Sequence, residues 1–198
     1  MQPDDYDIAG FSVGVVDKHK IVNGNTIKPG DIIIGIASSG VHSNGYSLVR
    51  KLFFDIKKYT TETKLHELSK PLGATLLEPT RIYVKPILKA LESIAIKGMV
   101  HITGGGFYEN IPRILPETTA AYIDKSSFPV PPIFALIQHD GNIDEREMFT
   151  TFNMGIGMMC IVSKKDADAL ITGLTQHGEK AYSIGQIKSL VDFPVIIS

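Results

Sequence analysis

The chain has 198 residues, with 20 Lys+Arg against 21 Asp+Glu and a formal net charge of −1. At roughly 100–200 residues per domain this is one domain, or one with an appendage, and 43% hydrophobic against 21% charged residues argues for a substantial core and against disorder. The balanced charge sets aside wholesale binding to nucleic acid or an anionic membrane, the single Cys160 excludes an intrachain disulfide framework, and no apolar run approaches the roughly 18–20 residues of a membrane span. Met1 to Asp7 is acidic and lacks the basic-then-apolar layout of a signal peptide, so a reducing, cytoplasmic setting is expected.

Residues 7–16, Asp-Ile-Ala-Gly-Phe-Ser-Val-Gly-Val-Val, read as a strand with small residues on one face. Its edge and apolar side chains predict pairing with another chain or displacement. A polar stretch follows, ending in the turn Lys28-Pro-Gly-Asp31. Asp31 to Ile36 is a short β-branched run and predicts a buried strand. Ala37 to Gly45 is too polar and too glycine-rich for either element. Beyond it Leu48, Val49, Leu52, Phe53 and Ile56 carry the spacing of an amphipathic helix.

Residues 80–95 predict a helix with Tyr83, Ile87, Leu88, Leu91 and Ile94 inward, and Pro86 predicts a late start or a kink. Met99 to Thr103 is a short strand entering Gly104-Gly-Gly106, with a helical segment through Glu109 to Arg113. Residues 120–124 read as another strand. Phe128-Pro-Val-Pro-Pro132 is a rigid connector into a helix near 133–139. Glu145 to Phe149 reads as a helix end, and the Asp-Glu-Arg-Glu run at 144–147 as a solvated face. Met158 to Val162 is a buried strand. Ser163 with Asp166 signals a helix with Ala167, Leu170, Ile171 and Leu174 inward, ending near Gly178. A strand pair near 180–187 and 193–197 closes the chain. This irregular alternation predicts an α+β fold, a mixed β-sheet covered by helices.

Three glycine segments hold the chemistry. Gly35-Ile-Ala-Ser-Ser-Gly40 has the two-glycine spacing of a P-loop, but Val41 and His42 stand where Lys and Ser/Thr are required. A Walker-type site is therefore rejected. What remains is a loop before a helix, with backbone N–H groups joined by Ser38, Ser39, Ser43 and Asn44, a setting suited to phosphate or carboxylate. His42 adds a group that titrates near neutrality. The competing reading is an ordinary N-cap by Ser43 or Asn44. Thr103-Gly104-Gly105-Gly106 again joins a strand to a helix, and Glu109 breaks any dinucleotide fingerprint. It reads as a ligand loop or as a tight turn under a packed helix. Gly155-x-Gly157 precedes a strand, so its glycines are expected to permit close packing, with Asn153 a site or turn residue. His101 is expected in the core, and Cys160 to be inert packing.

Taken together, several blocks carry a resemblance: Asp5-Tyr-Asp-Ile-Ala-Gly-Phe11, Ser38-Ser-Gly-Val-His-Ser-Asn-Gly-Tyr-Ser-Leu-Val-Arg50, Glu78-Pro-Thr-Arg-Ile-Tyr-Val84, His101-Ile-Thr-Gly-Gly-Gly106, Glu109-Asn-Ile-Pro-Arg113 and Met148-Phe-Thr-Thr-Phe-Asn153. The chain closely resembles the phosphoribosylformylglycinamidine cyclo-ligase (aminoimidazole ribonucleotide synthetase) family, essentially end to end. The resemblance implies the C-terminal α+β domain of that superfamily at 29–198. Residues 1–28 would be a remnant strand and linker from a missing N-terminal ATP-binding domain.

It further implies ATP-dependent ring closure on formylglycinamidine ribonucleotide in purine synthesis. The formyl oxygen is phosphorylated, the neighbouring nitrogen attacks, and phosphate leaves. ATP and Mg²⁺ are the implied cofactors, the metal ligands being expected in the N-terminal domain and none here. A homodimer is the implied assembly of the full-length protein, and this chain alone is expected to be inactive. The resemblance places His42 as the catalytic candidate. Ser38, Ser39, Gly40, Ser43, Asn44, Gly45, Thr103, Gly104, Gly105, Gly106, Asn110 and Asn153 are candidates for substrate or phosphate binding, with Arg50 and Arg81 as further members. Two other readings stay open: a non-catalytic phosphate- or nucleotide-binding module, and a related kinase or synthetase.

Overall fold

The computed structural model describes residues 10–198. Residues 7–9 of the first expected strand lie outside the described residues. The sheet is built from β1 (Ile32–Ala37), β2 (Gly98–His101), β3 (Thr119–Ile123), β4 (Ile156–Val162), β5 (Ala181–Ser189) and β6 (Val195–Ile197). Their spatial order is β2-β4-β1-β5-β3-β6. All neighbours are antiparallel except β3 and β6, which run parallel. The sheet is therefore mixed, as the α+β reading expects.

Helices cover both faces. Alternate residues of a strand point to opposite sides, and β1 shows the consequence: Ile33 joins one apolar cluster, Ile34 and Ile36 the other. Burial on both sides is why this strand reads as an unbroken apolar run. The smaller cluster is covered by α3 (Val84–Leu91) and α7 (Ala167–Gln176), through Ile87, Ala90, Leu170 and Leu174. The larger lies under α1 (Tyr46–Arg50), its π-helical continuation Lys51–Ile56, α2 (Leu72–Leu76), α4 (Gly106–Asn110), α5 (Pro132–Gly141) and α6 (Glu145–Thr151). Phe53, Phe107, Phe134 and Phe152 are fully buried there. Each contributes about 1.5–3 kcal/mol relative to exposure.

One ion pair ties the turn before β1 to the start of β2. Lys97 Nζ donates to both carboxylate oxygens of Asp31, at 2.6 and 2.8 Å, and the Lys28 amide donates to Asp31 Oδ2 at 2.9 Å. Asp31 is buried at 2% exposure. A carboxylate so far from water needs these donors.

Several sequence expectations change. Residues 10–16 form no strand, and Phe11, Val13 and Val15 are almost fully exposed. Among the described residues no strand pairs with this segment, so its backbone groups have no ladder to join. The helix expected over 80–95 starts at Val84, which puts Pro86 in the first turn, where its missing N–H costs nothing. Leu88 and Ile56, expected inward, are exposed at 60% and 61%. The Glu145 segment is a helix of its own rather than a helix end. β5 and β6 are not a pair, because β3 lies between them. His101 is exposed rather than in the core.

Candidate functional site

Antiparallel alternation gathers the three glycine segments at one end of the sheet. Ala37 at the end of β1 pairs with Ile156 at the start of β4, Ile36 pairs with Ala181 at the start of β5, and His101 at the end of β2 pairs with Met158. The segments leaving these ends are 38–45, 102–106 and 153–157. Asn153 joins two of them. Its Nδ2 donates to the Gly40 carbonyl at 2.9 Å, and its Oδ1 accepts from Ser38 Oγ and the Gly155 amide, both at 2.9 Å. It is fully buried, with its amide spent inside the chain. Asn44 Nδ2 donates to the Ile102 carbonyl at 3.5 Å, and the Ile102 amide donates to Gly157 O at 2.9 Å.

The 38–45 loop is held from outside and left open within. Gly45, not Ser43 or Asn44, occupies the N-cap of α1, with φ +72° and no side-chain cap. The capping alternative for Ser43 and Asn44 therefore falls. A Cβ on Gly45 would enter the Phe152 ring, so the residue must be glycine on steric as well as conformational grounds. From Ser38 to Gly45, only the amides of Ser38 and Ser39 donate hydrogen bonds among the described residues. The amides of Gly40 through Gly45 are left for another acceptor.

The loop is laced to the segment 79–81. Ser39 Oγ donates to the Pro79 carbonyl at 2.5 Å, and Ser43 Oγ lies 3.3 Å from Thr80 Oγ1. His42 supplies the third tie: its Nε2 accepts from the Ser39 amide at 3.1 Å and the Arg81 amide at 3.4 Å. His42 is 5% exposed, with φ +58°. Burial, with a smaller push from His101, lowers its pKa to about 4, so the ring is neutral at pH 7. A cleft of about 330 Å³ lies beside this seam, lined by His42, Ser43, Tyr46, Glu78 and Thr80 among others.

Arg81 anchors the far side. Its Nε donates to Glu179 Oε2 at 2.5 Å and its guanidinium to the Gly178 carbonyl at 2.9 Å. The hydrogen bond it donates to Glu179 raises the Arg81 pKa above its ordinary value. Tyr83 completes the cluster, its hydroxyl donating to Ala37 O at 2.9 Å and its ring 6.3 Å from both His42 and His101. Burial, then the Glu179 charge, pushes the Tyr83 pKa upward, and the phenol stays protonated.

In the 103–106 loop Asn110 does the holding. Its Nδ2 donates to the carbonyls of Thr103, Gly104 and Gly106, the last at 2.7 Å, while Thr103 Oγ1 donates to its Oδ1. Gly104 is exposed, and the amides of Gly104 and Gly105 have no partner among the described residues. A Cβ on Gly106 would run into the Phe149 carbonyl. Arg50 is exposed on α1 and makes none of these hydrogen bonds. Among the described residues no three His, Cys, Asp or Glu form a group able to hold a metal ion, and no helix is long and apolar enough to cross a membrane.

Sequence reading missed Tyr83 and Glu179 as members of this end of the sheet. Tyr83 is indistinguishable from a core position of a helical stripe. The Arg81–Glu179 pair spans 98 positions, a distance no local pattern reports.

Comparison with known proteins gives the family of the chain. The family described as "AIR synthase related protein, C-terminal domain" matches residues 28–193. The chain is 54% identical over 185 residues to phosphoribosylformylglycinamidine cyclo-ligase of Bacillus subtilis (strain 168), covering 93% of this chain and 54% of that protein. It is 56% identical over 183 residues to the same-named protein of Thermoanaerobacter sp. (strain X514), covering 92% and 54%. The chain thus spans about half the length of the curated relatives it matches. Among solved structures, thiamine-monophosphate kinase from Stenotrophomonas maltophilia K279a superposes with a TM-score of 0.61 at 16% identity, over 92% of this chain and 54% of that one. The hydrogenase maturation protein HypE in complex with ATP gives 0.56 at 17%, over 88% and 49%. At these identities the likeness is one of fold.

Proposed function

The chain belongs to the family of AIR synthase related proteins as their C-terminal domain, and on that premise we propose that it supplies the phosphoryl-holding part of an ATP-dependent cyclo-ligase. The observation that carries this reading is the run of amides at Gly40–Gly45 and Gly104–Gly105 that have no partner among the described residues, at one end of one sheet. Backbone N–H groups fixed before helices suit phosphoryl oxygens, and donors aimed at developing charge need no reorganisation during reaction. Asn110 and Asn153 hold these loops open from below, since their own polar atoms are already paired. Ser38, Ser39, Ser43, Asn44 and Thr103 stand along the same loops. Arg81 contributes through its anchored backbone, and Arg50 is an exposed positive charge on the helix that follows the first loop.

The reaction proposed is closure of formylglycinamidine ribonucleotide to aminoimidazole ribonucleotide. ATP phosphorylates the formyl oxygen, the neighbouring nitrogen attacks that carbon, and phosphate departs with the oxygen. The loops here would hold the ribose phosphate, the transferred phosphoryl group, or both. Among the described residues no three His, Cys, Asp or Glu come together as a ligand group, and no step is assigned to a metal on this chain. We place the metal and nucleotide carboxylates in the half of the relatives' length that this chain does not span. The chain alone is then inactive, and the active form is a cytoplasmic homodimer of the longer protein.

The test is ATP-dependent cyclisation of formylglycinamidine ribonucleotide, measured with this chain alone and with the first half of the Bacillus subtilis relative supplied. The reading expects turnover only in the second case. Turnover by the chain alone overturns the division of labour. Phosphate binding without complementation points instead to a non-catalytic module.

A further inference from the structure

We propose that His42 is a positioning residue: a neutral imidazole carrying its proton on Nδ1, whose Nε2 clasps the Ser39 and Arg81 amides and so sets the 38–45 loop for its phosphoryl group. The inference rests on the reading of that loop as a phosphoryl site, but its geometry stands apart from it. Two backbone N–H groups point at one ring nitrogen, at 3.1 and 3.4 Å. An N–H cannot accept, so Nε2 must present its lone pair and the single proton of the neutral ring must sit on Nδ1. Nδ1 is buried and has no partner. A ring acting as a proton carrier needs a nitrogen open to its proton partner; here two donors occupy Nε2 and Nδ1 is buried without a partner.

The clasp lies between the Ser39–Pro79 and Ser43–Thr80 contacts, which tie the same loop to the 79–81 segment. On one side is the open loop. On the other is Arg81, fixed by Glu179 and the Gly178 carbonyl to the start of β5. His42 therefore transmits a rigid anchor to the free amides. Its left-handed backbone, φ +58°, turns the side chain back under its own loop, a conformation that histidine adopts more readily than most residues. Glycine at 157 is what leaves room, since a Cβ there would stand 2.5 Å from His42 Cε1.

Protonation would place an N–H on Nε2, against two N–H donors, and the clasp would open. The groups facing the ring decide when. Tyr83 is neutral, the exposed His101 adds a smaller push against a charged ring, the Arg81 guanidinium is matched by Glu179, and Glu78 lines the same cleft. Burial dominates, and the clasp holds at neutral pH.

The experiment uses the whole chain, with inorganic phosphate as the probe. Long-range ¹H–¹⁵N spectra should show the His42 proton on Nδ1 at pH 7. Amide exchange at Ser39 and Arg81, referenced to unstructured rates, should be protected, and should lose about tenfold of that protection in His42→Leu, consistent with one lost buried hydrogen bond. His42→Gln, whose Oε1 can stand near the Nε2 position, should recover part of it. Phosphate affinity should follow the same order: parent, then Gln, then Leu. A proton on Nε2, undiminished protection in a folded Leu variant, or phosphate bound equally by parent and Leu variant would each overturn the proposal. If the parent binds no phosphate while the exchange results hold, the clasp stands and the phosphoryl reading of the loop fails.

Discussion

Gly157→Ala puts a methyl group where the structure has no room. Its Cβ would meet the Tyr83 hydroxyl and stand 2.5 Å from His42 Cε1, whereas carbon contacts are most favourable near 3.5–4.0 Å. Tyr83 is 6% exposed and its hydroxyl is held by Ala37 O, so neither ring can swing into solvent. Overpacking of this kind costs about 1–3 kcal/mol, and losing the tyrosine hydrogen bond adds about 1 kcal/mol. Against this, alanine recovers about 0.5–1 kcal/mol of backbone entropy. The expected net loss is about 1–3 kcal/mol, read as a lower urea midpoint at unchanged m. Gly173→Ala is the control. It lies in α7 with nothing within 4 Å of the new Cβ, and should gain about 0.5–1 kcal/mol. A Gly157→Ala midpoint at or above the parent's would refute the packing argument.

Three further outcomes can be checked. Lys97→Met leaves the Asp31 carboxylate buried with only the Lys28 amide, and should cost about 3–5 kcal/mol in urea unfolding, most of it restored by adding Asp31→Asn. His42 binds its proton near pH 4 when folded and near 6.5 when unfolded. Its contribution is therefore complete above about pH 6.5, lost as pH falls from 6.5 to 4, and constant below that. The loss should reach up to about 3 kcal/mol and should shrink in His42→Gln, as seen by unfolding across that pH range. Cys160 is fully buried and its thiol is pushed up to about 12; a thiol reagent should modify it only at the rate of unfolding, and rapid labelling of the native chain would contradict the burial.

The sheet and its helices were largely readable because burial periodicity is local. The Ile32–Ile36 run, the Ala167–Leu174 stripe and the Met158–Val162 strand all declare their buried faces in a few residues. What local pattern could not supply was neighbourhood. Residues 10–16 have the composition of a strand but pair with no strand among the described residues, and Leu88 has the spacing of a core position yet is 60% exposed. The site was legible as glycine loops, and the resemblance supplied their family. The division of roles within it was not. Asn110 and Asn153 look like ligand residues in sequence, but their bonds run to the loops' own carbonyls and amides. His42 looks like a proton carrier until the Ser39 and Arg81 amides are seen at Nε2.

The central claim is that Gly40–Gly45 and Gly104–Gly105 present amides to a phosphoryl group. Amide chemical shifts of the ¹⁵N-labelled chain, titrated with formylglycinamidine ribonucleotide, test it most directly. The account predicts saturable changes concentrated at those amides, with the buried side chains of Asn110 and Asn153 moving little. Saturable binding that leaves those amides unmoved and shifts another face would contradict it.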